Sequence, residues 1–263
     1  MLNASFRYLI PFDENDLIRL GSKKDGGYII SKKSLEKDIF LLSFGMSSEW
    51  SFEEEFVKYN SLNLVHIYDH TVDLSFFLLR LYKSIKRIFY FKSSFKNISI
   101  KTKELLKYLR LKSSRISHYK KKISNDGLPL SKNLNECILN INYPGKIMLK
   151  IDIEGDEYEV LQDINLYSKK VHTLIVEFHE LDINLNKFEK LIKKIQKKYY
   201  IIHIHGNNVS GVCKNKLPKT LEVTFLNRSD FFKDNQQTKF NFPIDKIDFP
   251  NHPYIKDIEI NFR

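Results

Sequence analysis

A doubly wound α/β sheet is the fold class this sequence predicts, and three observations predict it. Short apolar runs alternate along the chain with segments of helical periodicity, the pattern of parallel strands joined by crossover helices. The runs end on residues that carry chemistry, Gly45, Asp69, Asp152, Glu177, His179, His203 and His205, and the carboxyl ends of strands are where open α/β sheets bind ligands. Apolar residues make up 42% of the 263, with 20 Phe and 14 Tyr. That is core material for one large domain, and it excludes a globally disordered chain.

The expected organisation is an N-terminal segment over residues 1–34, a main domain over 35–226 with a helical insertion at about 73–112, and a C-terminal tail over 227–263 packed on the domain. In the first segment residues 6–10 have strand character, and Asp25-Gly26-Gly27-Tyr28 reads as a hairpin turn whose paired glycines can also aim backbone N–H groups at a ligand. Ile39–Phe44 is the first core strand; it runs into Gly45-Met46-Ser47-Ser48 and then a helix, Ser51–Tyr59. A glycine at that turn lets backbone and ligand approach closely. Ser51 with Glu54 three residues on reads as a capping box. Leu64–Tyr68 is the second strand and ends on Asp69, where a carboxylate can accept both ribose hydroxyls of a nucleoside cofactor.

Within the insertion, Leu74, Phe77, Leu78, Leu81, Ile85, Ile88 and Phe89 fall on one helix face, with Arg80, Lys83, Lys86 and Arg87 opposite. Such a face packs on its parent domain, serves as a lid or a homodimer contact, or binds an anionic membrane surface. A second helix over 102–111 completes the insertion. Residues 115–124 resume the sheet as a weak strand, 133–139 form a helix, and Pro144-Gly145 is a turn. Beyond the strand that closes on Asp152, residues 171–179 form a buried strand whose period-2 alternation puts Glu177 and His179 on one side. A helix over 187–199, a strand over 200–208 with His203 and His205 on one side, and a strand over 221–226 complete the sheet.

The formal net charge is +11. Such a field draws anions such as nucleic acid, acidic membrane, nucleotide-sugars or acidic glycans, unless the lysines only solvate helix faces. Cys137 and Cys213 are the only cysteines and have no neighbour at metal-ligand spacing, which argues against a cysteine zinc site and a disulfide scaffold. The first residues lack a signal-peptide pattern, and no apolar run approaches the ~18 residues of a membrane span. A cytoplasmic setting is the expectation.

The chain is organised around residues 147–161. An apolar run stops at Asp152 and Glu154, passes Gly155, and resumes with helical spacing at Tyr158 and Leu161. A carboxylate that closes an apolar strand needs a partner to offset its desolvation, whereas Asp156 and Glu157 would sit in a first helical turn that favours negative charge. Asp152-Ile153-Glu154-Gly155-Asp156-Glu157 resembles the D-I-E-G-x-E signature of the FkbM-type S-adenosylmethionine-dependent O-methyltransferases. The likeness extends in order to Asp25-Gly26-Gly27-Tyr28, Ser43-Phe44-Gly45, Glu177-Phe178-His179 and His205-Gly206-Asn207-Asn208.

The resemblance implies a Rossmann-like sheet of the class I methyltransferase type with a helical insertion. It implies S-adenosylmethionine as cofactor, its methionine end held by the loop at Ser43, Phe44, Gly45, Met46 and Ser47, with Asp152 beside it and adenine near Ser124. The acceptor implied is a sugar, nucleotide-sugar or glycan precursor. In methyl transfer to a hydroxyl the enzyme aligns donor and acceptor and removes the hydroxyl proton. His179 is the first candidate base and His205 the second, with Asp152 or Glu154 orienting the imidazole or the hydroxyl and Glu177, His203 and Asn207 on the acceptor side. An ordinary histidine pKa of about 6.5 suits that task. A competing reading has Asp152, Glu177 and His179 chelating a divalent cation. An RNA methyltransferase is a second class of function, motivated by the charge, although no RNA-binding module is present and no nucleic-acid partner is expected. A membrane-surface binding protein is a third.

Overall fold

β-Branched and aromatic residues bunched in short runs form the strands, and in the computed structural model the central runs are buried on both faces. The structure describes residues 4–36, 38–89, 95–111, 115–230, 236–238 and 241–262. An N-terminal hairpin of β1 (Leu17–Gly21) and β2 (Gly27–Ser31) precedes the main sheet. Then follow β3 (Ile39–Phe44), α1 (Ser51–Tyr59), β4 (Leu64–Tyr68), a helical pair α2 (Leu74–Phe89) and α3 (Phe95–Leu111), and β5 (Ile116–Tyr119). Short strands β6 (Lys122–Ile123) and β7 (Ser131–Lys132) pair with each other, and α4 (Leu134–Leu139) leads to β8 (Lys146–Ile151). The chain continues through α5 (Glu157–Val160), β9 (Val171–Phe178), α6 (Leu181–Ile195), β10 (Tyr199–Gly206) and β11 (Leu221–Asn227).

The main sheet has seven strands in the order β10-β11-β9-β8-β3-β4-β5. From β9 to β5 every pairing is parallel, and β11 runs antiparallel to both β9 and β10. Counted along the chain, the order across the sheet is third, second, first, fourth, fifth, seventh, sixth. This is a Rossmann-like doubly wound sheet of the class I methyltransferase type. The strand order reverses between β3 and β8, and the crevice at their carboxyl ends is where such a sheet takes a ligand.

Alternation along the strands feeds two cores. Phe40, Leu42 and Phe44 point to one face with Leu149, Ile151, Phe178 and Phe188. Ile39 and Leu41 point to the other with Met148, Trp50, Phe56, Phe77 and Tyr108. Helices α1, α2 and α3 thus cover one face, while α5 and α6 cover the other.

Five local expectations change. Residues 6–10 are not a strand: Ala4–Leu9 is a 3-10 helix that buries Phe6 and Leu9, a spacing of three that a short apolar run cannot announce. The capping box at Ser51 does not form. Among the described residues the Ser51 hydroxyl has no partner, Ser51 N–H donates to Glu49 Oε1 (2.8 Å), and Glu54 Oε1 takes the Trp50 indole N–H (3.0 Å). Helix α3 begins seven residues before the expected 102. The strand expected over 115–124 divides into β5 and β6. Helix α6 is Leu181–Ile195 rather than 187–199, because Leu181 and Leu185 extend its apolar face backward.

Of Ile88 and Phe89 the backbone alone is described, and Lys112, the expected end of the insertion, lies outside the described residues. No helix among the described residues is long and apolar enough to cross a membrane.

Candidate active site at the carboxyl rim of the sheet

Register fixes which side chains meet at the rim. Phe44 pairs with Tyr68 and with Ile151, Ile151 pairs with Val176, Glu222 with Glu177, and His205 with Glu222. One step further along, Asp69, Gly45, Asp152, Glu177, Glu222 and His205 therefore form a row across the sheet. Cross-strand neighbours in such a row face the same way.

Gly45 has φ +84, and a Cβ built there would lie 1.7 Å from the Asp152 carbonyl oxygen. The glycine is needed for packing of two strand ends against each other. Asp69 is buried behind the turn. Its Oδ2 accepts the Met46 and Ser47 N–H groups (both 2.8 Å), and its Oδ1 accepts the Thr71 N–H and hydroxyl (2.7 and 2.6 Å). Burial raises its pKa, but these hydrogen bonds outweigh burial and hold it below the usual carboxylate value. All four acceptor positions of the carboxylate are engaged. Asp69 thus holds the Gly45 turn, and a ribose would have to displace one of those bonds to be accepted there.

Ser43 and Phe44 are fully buried and face no cleft. The Ser43 hydroxyl donates to Glu53 Oε1 (2.6 Å); the same carboxylate pairs with Lys150 Nζ (3.4 Å), which donates to Gly45 O (3.0 Å). These residues support the turn from beneath. A cleft of about 250 Å³ opens above it, lined by Gly45, Met46, Ser47, Asp69, Asp152 and Glu154 among others. Tyr68, Ile123 and Ile153 also line it, and Lys121, Lys122 and Asp156 stand at its mouth. Ser124 is not in this cleft. It lines a neighbouring hollow of about 390 Å³ with Asn133, Asp163 and Tyr167, which contains none of the rim row.

At one end of the cleft carboxylates converge on His179, just past β9. Its Nδ1 lies 2.6 Å from Oε1 of Glu157, a fully buried residue that also accepts the Gly155 N–H. Its Nε2 lies 3.5 Å from Glu154 Oε2, 3.8 Å from Asp152 Oδ1 and 3.8 Å from Glu177 Oε1. The Tyr158 hydroxyl donates to the His179 carbonyl and fixes the backbone below. Burial opposes the imidazolium, but the Glu157 hydrogen bond and the charges of Glu177, Glu157 and Asp152 push its pKa up to about 10. The choice of His179 as base rests on an ordinary histidine pKa of about 6.5, and its surroundings raise the value well above that. Asp152, Glu154 and His179 offer ligand atoms within 4.8 Å of one another. This differs from the expected trio in having Glu154 where Glu177 was named.

Glu177 is buried and committed elsewhere. Asn207 Nδ2 donates to its Oε1 (3.0 Å) and the Tyr28 hydroxyl lies 3.3 Å from its Oε2. Burial, then the charges of Asp152 and Glu222, raise its pKa well above the carboxylate range. The same Tyr28 hydroxyl lies 3.1 Å from Asp152 Oδ2. Glu177 and Asn207 therefore shape the wall behind Asp152 rather than face an acceptor.

His203 and His205 lie at the far edge of the sheet. His203 Nε2 is 3.1 Å from Asp248 Oδ2, and His205 sits between Glu222 Oε2 (3.3 Å) and Asp257 Oδ2 (3.2 Å). Both are buried beneath the C-terminal tail, which removes His205 as an alternative base and His203 as an acceptor contact. Sequence reasoning missed Tyr28 as a bridge and Glu157 as the partner of His179. The available signal was that both residues lie inside the quoted family motifs.

No protein-family model matches the chain, and no curated protein matches it. Solved structures with a similar chain path include a fibrillarin/Nop5p complex at 7% identity and TM-score 0.40, covering 72% of this chain and 73% of that one. A putative rRNA methylase from Clostridium thermocellum follows at 11% and 0.37, covering 72% and 86%. A precorrin-6y C5,15-methyltransferase from Geobacter metallireducens GS-15 stands at 8% and 0.36, covering 74% and 83%. Similarity at this level carries no functional information, and the fold rests on the strand order itself.

The cleft fits a cationic nucleoside cofactor in two respects. Tyr68, Ile123 and Ile153 give it an apolar wall for a purine, and Asp152 and Glu154 give it negative charge for an ammonium or sulfonium, whereas Asp156 is paired with Lys122 (2.8 Å). In a third respect, the ribose, Asp69 is already occupied.

Proposed function

We propose that the protein is an S-adenosylmethionine-dependent O-methyltransferase that acts on a hydroxyl of a sugar, nucleotide-sugar or glycan precursor, in the manner of the FkbM-type enzymes that its motifs resemble. The observation that carries this reading is the cleft at the switch point of the sheet, with the Gly45 turn on one side and the Asp152-Glu154-His179 group on the other. When bound, S-adenosylmethionine would supply an electrophilic methyl group next to a positive sulfur. Asp152 lines the cleft and would draw that positive charge toward the rim. The acceptor hydroxyl would lie against Glu154, whose carboxylate is 85% exposed and points into the open. Burial of part of the residue, and then the charges of Asp152 and Glu157, raise its pKa against the pull of His179. Its exposed carboxylate is the candidate proton acceptor. His179 would hold the carboxylates in place.

The reading is tested by titrating the purified chain with S-adenosylmethionine while following thermal unfolding. Ligand at about 100 times its dissociation constant stabilises the native state by about 2.7 kcal/mol. No shift in a folded protein, with no S-adenosylhomocysteine formed from a panel of nucleotide-sugars, would sink it.

A second reading is favoured by the α2–α3 pair. Phe95 (81%), Tyr82 (59%), Leu109 (53%) and Leu78 (48%) are exposed there, and between Leu74 and Leu111 lysine and arginine far outnumber the one acid, Glu104. Apolar side chains set among basic ones suit an anionic bilayer surface. Sedimentation with phosphatidylglycerol vesicles but not with phosphatidylcholine vesicles would support it; sedimentation with neither would sink it.

A further inference from the structure

The His179 nitrogens have unequal surroundings. Nδ1 is held by the carboxylate of Glu157, which fixes the ring and leaves Nε2 toward Asp152 and Glu154 of the cleft lining. Nε2 faces carboxylate oxygens of Glu154, Asp152 and Glu177 at 3.5–3.8 Å and forms a hydrogen bond with none of them. Two donors that share one small divalent ion, each about 2.1 Å from it, lie roughly 3.0–3.4 Å apart. The imidazole-to-carboxylate separations exceed that by a few tenths of an ångström, and all three ligand atoms lie within 4.8 Å of one another.

Two features separate this group from a merely acidic rim. Glu157 is wholly buried, and its Oε2 has no hydrogen-bond partner among the described residues. That leaves a buried polar oxygen unsatisfied beside the imidazole. The neighbouring ammonium of Lys150 does not fill the gap, since it is taken up by Gly45 O and Glu53. The other feature is the contrast with His205, whose two nitrogens each have a carboxylate within 3.3 Å. A closed ion-pair cluster and an open one thus coexist in one sheet.

We propose that Asp152, Glu154 and Nε2 of His179 bind a hard divalent cation of the magnesium or manganese class at the acceptor end of the cleft, with Glu157 as the residue that positions the imidazole. Carboxylate oxygens with one imidazole suit such ions, and a ligand group without a thiol disfavours softer ones. An ion there would hold two adjacent hydroxyls of a sugar and weaken the O–H bond of one. Glu154 would then act as ligand, and the proton would leave to solvent or to a free carboxylate oxygen. This role for the ion rests on the methyl-transfer reading, but the existence of the site does not.

The test is a titration of the chelator-treated full chain with Mn²⁺, followed by loss of the free-ion signal in electron paramagnetic resonance. Saturable binding is expected, competed by Mg²⁺. Glu154→Gln and Asp152→Asn should each weaken it at least tenfold, and Glu157→Gln about tenfold through the second coordination layer. Glu159→Gln, an exposed acid on the same short helix, should leave it unchanged. Absence of saturable binding would overturn the proposal. So would binding indifferent to Glu154→Gln, or binding equally weakened by Glu159→Gln. Glu154 is exposed enough that its variant will fold even if that of Asp152 does not. A parallel titration with S-adenosylmethionine separates the two ideas. Cofactor binding without Mn²⁺ binding removes the ion alone, and Mn²⁺ binding without cofactor binding removes the methyl-transfer role alone.

Discussion

His179 and His205 sit on the same face of one sheet, each among carboxylates and each with its pKa pushed to about 10. Their surroundings differ in completeness. His205 is 2% exposed and lies between Glu222 from β11 and Asp257 from the tail, so its cluster closes the strand edge against the last residues of the chain. His179 has one buried partner, Glu157, and a second nitrogen that faces three carboxylates at arm's length beside an open cleft. The same chemical groups thus serve as a lock in one place and as a receptive site in the other. What distinguishes them is whether every valence has been spent within the chain.

The comparison is broken most severely at His205. His205→Gln removes the cation from between two largely buried carboxylates, and breaking such a group costs about 3–5 kcal/mol because the charges left behind are uncompensated. Chemical denaturation should report a loss of that order, with cofactor binding retained by the fraction still folded. A loss below about 1 kcal/mol would mean that the tail is not held through this residue. The pH dependence has a definite sign. The folded-state pKa of His205 lies above its unfolded value, so its contribution is fully present below about pH 6.5 and fades as pH rises through about 10. The gap in stability between the wild type and His205→Gln should therefore narrow from pH 6 to pH 10, and a gap that widens would reverse the assignment.

His179→Gln should cost less stability, about 1–3 kcal/mol, since Asp152 and Glu154 keep access to solvent while only Glu157 is stranded. Its main effect should fall on function. Turnover and Mn²⁺ affinity should drop by at least tenfold while unfolding midpoints move modestly. Equal damage to stability from both histidine variants would erase the distinction drawn between the clusters.

The parts of this arrangement that were legible in the sequence are those written in local pattern. Apolar runs such as Ile39–Phe44 and Leu64–Tyr68 announce buried strands, and the acids that stop them announce the rim. The residues that the pattern hides are those whose partners are distant. Tyr28 reaches Asp152 across 124 positions and Thr224 reaches the Ile29 carbonyl across 195, so no window of sequence reveals them. Asp69 was correctly placed at the end of its strand, but its hydrogen bonds to Met46 and Ser47 depend on how the Gly45 turn folds over it. Glu157 read as a helix-capping acid, because nothing local distinguishes a carboxylate that faces solvent from one that turns inward to an imidazole. His203 and His205 read as site residues because alternation shows which side of a strand a residue takes, and it was the tail, far along the chain, that decided what covers that side.

The smallest expected effect is the sharpest test of the comparison. Glu154 holds φ +53 and is followed by Gly155 at φ +111, so a carboxylate occupies a left-handed position at which most residues are strained by about 1–2 kcal/mol. A residue kept there for stability alone would be glycine. Glu154→Gly relieves the strain but adds about 0.5–1 kcal/mol of chain entropy to be lost on folding. Stability should therefore stay level or rise by up to about 1 kcal/mol. Binding of Mn²⁺, and with it methyl transfer, should fall by at least tenfold. A variant equally stable and equally competent would show that Glu154 is ornamental. A variant clearly less stable would show that its carboxylate belongs to the structural class of His205, with its interactions satisfied within the chain. Stability kept while binding is lost would place Glu154 with His179, where backbone strain is held in exchange for an exposed charge at the mouth of the cleft.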